Sequence, residues 1–219
     1  MMRPVGLLAA LLSLTASTAY ASDLAYVGRA DETAAKAAET VRMRAPGFDR
    51  AVPFNNVAAV ADAVSTGRAE EGLIPAINDD GVLAPTANLL LARADFGLRI
   101  VGETRAGEPD AGPIIYWVLA KPLEHLTETH PDRLILTLDA PEGSKTFSFV
   151  VAGLSKLGFT VTCATGAPLP GNALGFRYLL ALAADKPVLV LRVTDAIARD
   201  SRAGGGHALM IGAWRQAIG

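Results

Sequence analysis

Over residues 24–120 the chain alternates short apolar runs with segments of helical periodicity, an order that few folds accept. Residues 24–28 form an apolar run ending in glycine, and 31–43 carry alanines at helical spacing, with Asp31 placed to cap the start. The pattern repeats with a strand at 50–53, a helix at 55–65 capped by Asn55 or Asn56, and a strand at 71–75. A short helix at 86–92 and strands at 98–102 and 114–120 follow, with a Gly-, Pro- and charge-rich surface loop at 104–112 between the last two. A helix between two strands returns the chain to the same end of the sheet, so the spacing predicts a mostly parallel sheet. Any site then belongs to the loops at the strand carboxyl ends.

Residues 121–132, with Pro122, two histidines and several charges, interrupt the apolar runs, and the pattern changes after them. A strand at 133–138, a helix at 144–157, strands at 160–165 and 176–183, a helix at 188–198 and a closing strand at 208–214 give the order β-α-β-β-α-β. That is the order of a ferredoxin-like domain, a four-stranded antiparallel sheet with both helices on one face. The expected organisation is a leader at 1–21, an α/β lobe at 22–122 and a second domain at 132–219.

The leader is read from Arg3, an apolar run at 5–12 and the A-x-A site Ala19-Tyr20-Ala21, the order of a secretory signal peptide. The apolar run falls short of the roughly 18 residues that span a bilayer. Export to a periplasm or beyond is expected, with no membrane segment after cleavage. A net charge of -2 supplies no basic face for a nucleic acid, which leaves a small molecule or a protein as partner. Cys163 stands alone, so no disulfide can form within the chain, and its alternating apolar setting suits a small buried hydrophobe. His125 and His130 lie in a polar segment with Glu124 and Glu128, a faint metal pattern better read as solvated side chains; His207 sits beside a glycine run. No Ser or Cys stands beside a His in a nucleophile elbow, and residues 28–30 lack the spaced glycines of a dinucleotide fingerprint. No metal or cofactor is expected.

Several short segments, in order, carry a resemblance. They are Ala25-Tyr26-Val27-Gly28, Pro53-Phe54, Val60-Ala61-Asp62-Ala63-Val64, the run G-R-A-E-E-G-L-I-P from Gly67 to Pro75, and L-R-I-V-G-E from Leu98 to Glu103. Together they resemble the first lobe of prephenate dehydratases, and residues 134–141, 154–158 and 210–214 resemble the regulatory ACT domain of that family. The resemblance implies a periplasmic-binding-protein-like lobe followed by an ACT-like domain. It also implies conversion of prephenate to phenylpyruvate, water and CO2 in the phenylalanine branch.

Departures from the family pattern bear on that chemistry. The family's P-x-G-T-F-S after the first strand becomes Arg29-Ala30-Asp31-Glu32-Thr33-Ala34, which places acids where a dicarboxylate would bind. Its P-I-E-N-S-x-x-G becomes Pro75-Ala76-Ile77-Asn78-Asp79-Asp80-Gly81, keeping Asn78 and Gly81. The second lobe is absent, and the catalytic T-R-F positions hold Ile114, Ile115 and Tyr116. Asn78, Thr104 and Arg105 remain as catalytic candidates, with Gly28, Asp79, Gly81, Gly143 and Ser144 as ligand-binding candidates. Two functions follow: a weak or degenerate dehydratase, or a non-catalytic exported protein that binds an aromatic compound or amino acid or serves as an interaction module. A homodimer is expected, because loss of a lobe would uncover an apolar patch at Ile114, Tyr116 and Trp117.

Overall fold

The computed structural model describes residues 23–29, 32–44, 47–92, 97–107, 112–122, 128–169 and 172–216; the signal-peptide reading, the Asp31 cap and His125 lie outside them. The first half runs β1 (Asp23–Val27), α1 (Thr33–Arg44), β2 (Arg50–Phe54), α2 (Val57–Thr66), β3 (Glu71–Asn78), β4 (Gly81–Val82), α3 (Ala84–Ala92), β5 (Arg99–Ala106) and β6 (Ile114–Ala120). The second runs β7 (Arg133–Ala140), α4 (Thr146–Lys156), β8 (Phe159–Leu169), β9 (Asn172–Ala184), α5 (Val190–Gly204) and β10 (His207–Trp214). All described strands belong to one sheet in the order β2-β1-β3-β6-β5-β10-β7-β9-β8, with β4 beside β3.

The first half is a parallel lobe with one reversed strand. β1 pairs in parallel with β2 and β3, while β6 runs antiparallel to both β3 and β5. Helices cover both faces. On one, the small side chains Ala34, Ala37 and Ala38 let α1 lie against Leu24, Tyr26, Leu73, Tyr116 and Val118. On the other, α2 packs Val57, Val60, Ala61 and Val64 around Ala25, Ile74 and Leu119. Asn56 fixes the start of α2 by accepting a hydrogen bond from the Ala59 N–H at 2.9 Å, satisfying one of the donors that a helix start leaves open. Gly72 fixes how close α2 comes, since a Cβ there would stand 2.6 Å from Val60 Cγ1. Because the crossovers from β1 and β2 lie on opposite faces, the sheet has a topological switch point between β1 and β3.

The second half has the ferredoxin-like arrangement that its element order implied. β10, β7, β9 and β8 are all antiparallel neighbours, and α4 and α5 pack Val150, Leu154, Val193 and Ile197 onto Leu134, Leu136, Leu180 and Leu182. The opposite face contributes Ile135, Leu179, Ala181 and Ile211 to the core of the first half. The halves meet where β5 and β10 pair in parallel at Ile100 and Gly212.

Two local expectations change. β5 continues through Ala106, so Thr104 and Arg105 are strand residues paired with Tyr116 and Ile115, not part of a loop. β5 and β6 are antiparallel neighbours, and the stretch of sequence between them is too short for a second lobe. The apolar patch expected there is not open, however. Tyr116 is 3% and Trp117 1% exposed, because α1 covers the first and the common core encloses the second.

Glu71 shows what burying a charge at the amino end of this sheet does. It opens β3 between Leu24 and Ala120, and burial, with the nearby Glu70, pushes its carboxyl up to about 7 from an ordinary 4.5. Folded Glu71 therefore holds its proton where unfolded Glu71 has lost it. Stability should fall as pH rises from about 4.5 to 7 and level off above. Allowing for the part open to solvent, the loss is about 2 kcal/mol. Glu71→Gln should raise the urea midpoint at pH 8 and leave it near the parent's at pH 4.5; equal gains at both would refute the assignment.

Candidate functional site

A crevice of about 450 Å³ opens at the carboxyl ends of the parallel strands, at the switch point. Val27 and Gly28 from the end of β1, Pro75 from β3 and Ile114 and Tyr116 from β6 form its strand side, and Glu32, Thr33, Ala34 and Lys36 from the start of α1 form the rest. Local structure explains how the acid reaches it. Gly28 has a φ of +128°, a region that side chains avoid, and donates its N–H to the Phe54 carbonyl at 3.1 Å, so the chain turns sharply off β1. Glu32 then folds back. Its Oε2 accepts the Arg29 N–H at 3.0 Å and stands 2.7 Å from where a Cβ on Gly28 would lie, so any other residue at 28 would displace it. The Glu32 carbonyl accepts the N–H groups of Ala35 and Lys36, which starts α1.

The base of the crevice is apolar except for the Tyr116 hydroxyl. Burial pushes the phenol above its ordinary pKa, and the neighbouring Glu32 carboxylate adds to the rise, so Tyr116 stays protonated and can donate a hydrogen bond. The site thus offers a carboxylate, a phenolic donor, a threonine hydroxyl and a lysine around a small apolar surface.

The residues read from the sequence fall in four places. Gly28 lines the crevice. Asn78, Asp79 and Gly81 form the β3–β4 turn, where the Asn78 Oδ1 accepts the Asp80 N–H at 3.1 Å; the carboxamide is used in holding the turn. Asp79 reaches toward Gly112, with Oδ2 2.7 Å from a Cβ built there. Thr104 and Arg105 are adjacent in a strand and so face opposite ways: Thr104 is buried next to Tyr116, and Arg105 is exposed. They cannot close on one ligand as a pair. Gly143 and Ser144 lie before α4 in the second half, where the Ser144 hydroxyl accepts from Thr146.

Glu32 and Thr33 were legible in the sequence only as part of a departure from the family pattern and Pro75 only as part of a matching run; Lys36 carried no local signal. The rule that ligands sit beyond strand carboxyl ends at a switch point would have found them. Elsewhere, Cys163 is half-buried against Gly81, and His130 and His207 are exposed. Among the described residues no group of three or more His, Cys, Asp or Glu is placed to hold a metal ion.

No protein-family model matches the sequence, nor does any curated protein. Solved structures do match. Prephenate dehydratase from Streptococcus mutans superposes with a TM-score of 0.67 at 18% identity, covering 88% of this chain and 97% of its own. The quorum-quenching acylase GqqA gives 0.66 at 18% identity, over 89% of this chain and 95% of its own. Prephenate dehydratase from Arthrobacter aurescens, solved in complex with L-Phe, gives 0.66 at 14% identity, over 89% and 90%. At such identities a likeness speaks for fold alone, and the fold of this chain is that of the prephenate dehydratases.

Proposed function

We propose that this chain is a small-molecule-binding protein built on the prephenate dehydratase fold, with turnover of prephenate weak or absent. The crevice carries the reading: it lies at the sheet's switch point, is sized for a small ligand, and brings Glu32 to the place where a dicarboxylate substrate would need cations. Glu32 is exposed, so solvent screens its repulsion of a dianion, but the sign is against binding. Thr104 and Arg105 lie on opposite faces of β5, which leaves no clamp. The bound L-Phe of the Arthrobacter aurescens dehydratase is a precedent for an amino-acid ligand on this fold. The test is incubation with prephenate: little or no phenylpyruvate supports the reading, and an ordinary dehydratase rate contradicts it.

The same proposal includes a homodimer, on grounds other than an uncovered patch at the missing lobe. β8 is the outer strand of the sheet over Phe159–Leu169, a stretch without a single charged side chain, and Val161 on it is exposed. Charged side chains are the usual device that keeps such an edge from pairing. A second copy pairing along β8 would extend the sheet through a two-fold axis. Light scattering at micromolar concentration should give twice the chain mass, and Val161→Lys should shift it toward the monomer; a monomeric parent would refute the dimer.

A further inference from the structure

We infer that a groove between α4 and α5, apart from the crevice, docks an acidic amphipathic segment of a partner protein. Two cavities of about 460 and 390 Å³ lie in line there and share Lys156, Leu157 and Arg192. Gly153 sets how closely the helices meet at one end, since a Cβ on it would collide with the Asp200 carboxylate. Leu157, Val188 and Ala196 form an apolar floor. Leu189 at its margin, and Leu191 in the same helical turn, are exposed.

Charge complementarity fixes the kind of partner. Four basic and two acidic side chains line the groove, on a chain whose net charge is -2. Asp200 holds Arg199 by hydrogen bonds of 2.7 and 3.1 Å, and Asp195 acts electrostatically on the same arginine. Among the described residues, no carboxylate stands within ion-pair distance of Lys156, Lys186 or Arg192. Unpaired cations gathered at a concavity focus a field that favours an anionic partner. Each exposed charge contributes little by itself and is screened by salt, so a tight partner must meet several of them and bury apolar surface as well. Leu189 and Ala196 stand two turns apart on α5, about 10 Å along its axis, which a single phosphate is too short to cover. An anionic membrane presents a flat surface to protruding side chains, whereas these line a hollow that also holds Asp185 and Asp195. A helix with acids on one side and leucines on the other matches both the basic margin and the apolar floor.

Fluorescence anisotropy with the full chain tests this, the probe being a labelled helical peptide of about twelve residues, with leucines on one face and glutamates on the other, long enough to span the groove. It is compared with a peptide carrying lysine for glutamate, a peptide carrying serine for leucine, and vesicles of anionic phospholipid. The Glu-Leu peptide should bind at least about tenfold more tightly than the other two peptides and weaken as salt rises. Arg192→Glu and Lys156→Glu should each weaken it about tenfold without lowering the melting temperature, since neither side chain has a described ion-pair partner to lose. Lys121→Glu makes the same change of charge beside Gly67, outside the groove, and should leave binding near the parent's. No binding of the Glu-Leu peptide, or an equal loss in Lys121→Glu, would overturn the proposal. A Glu-Ser peptide binding as tightly as the Glu-Leu peptide would overturn it too, leaving an anion site alone. Vesicle binding lost in Arg192→Glu, with the peptides ignored, would make this face a membrane surface instead.

Discussion

Arg177→Met is expected to destabilise the protein by about 3 kcal/mol, enough to threaten folding at physiological temperature in a chain of ordinary stability. The guanidinium is buried on β9 and forks onto its cross-strand neighbour Asp139, with Nε to Oδ1 at 2.6 Å and Nη2 to Oδ2 at 2.8 Å. Its remaining nitrogen donates to the Leu91 carbonyl at 3.1 Å, near the carboxyl end of α3, where a helix presents unsatisfied acceptors and a cation is favoured. One side chain therefore ties the ACT-like sheet to a helix of the first half. Methionine fills much of the volume but leaves Asp139 without its partner and the carbonyl without a donor. Because Asp139 retains some access to water, the loss should fall at the low end of the range for broken buried pairs. Urea denaturation reads it directly. Restoring apolar character at both positions, in Arg177→Met with Asp139→Leu, should recover part of the loss, since the pair's desolvation is then removed. An unchanged midpoint in the single variant would mean that the bridge contributes nothing.

That contact marks the limit of what the sequence could show. The elements themselves were legible because each declares its period locally: the strand read at 133–138 is β7, although both its faces are buried, and the run at 114–120 coincides with β6. Ends were less legible. β5 runs on through Thr104, Arg105 and Ala106 because β6 offers it partners up to Ile114, a pairing that polar residues in the sequence conceal. Arg177 and Leu91 are 86 positions apart, and no periodicity links them. The burial of Tyr116 and Trp117 had the same cause. Losing a lobe suggested an open face, but the alanine stripe of α1 covers Tyr116 on one side of the sheet and the core beneath α2 and α3 encloses Trp117 on the other. The crevice was half legible. Gly28 stood out by its position after β1, whereas Thr33, Lys36 and Pro75 become a site only once the crossovers set the switch point between β1 and β3. Asn78 looked functional by its family position, yet its side chain is used in a local turn.

The largest functional effect expected is on prephenate itself. Loss of hydroxide from C4 needs a donor to the leaving oxygen, which elsewhere contributes about 10² to 10⁴ in rate. Cations fixed against the carboxylates add a comparable factor. Here, among the described lining residues, Tyr116 offers a phenolic donor and no arginine is present, Glu32 opposes the substrate's charge, and the stretch of sequence between β5 and β6 is too short to form an opposing lobe that would exclude water. Together these deficits predict a kcat/KM at least about 10⁴-fold below that of an ordinary dehydratase. The direct measurement is the absorbance of phenylpyruvate formed from prephenate at neutral pH, for the parent protein and for Arg105→Ala. Release no faster than the spontaneous rate, and the same in both proteins, is the predicted result. Turnover at an ordinary dehydratase rate, abolished by Arg105→Ala, would contradict it and make the exposed arginine of β5 the catalytic clamp.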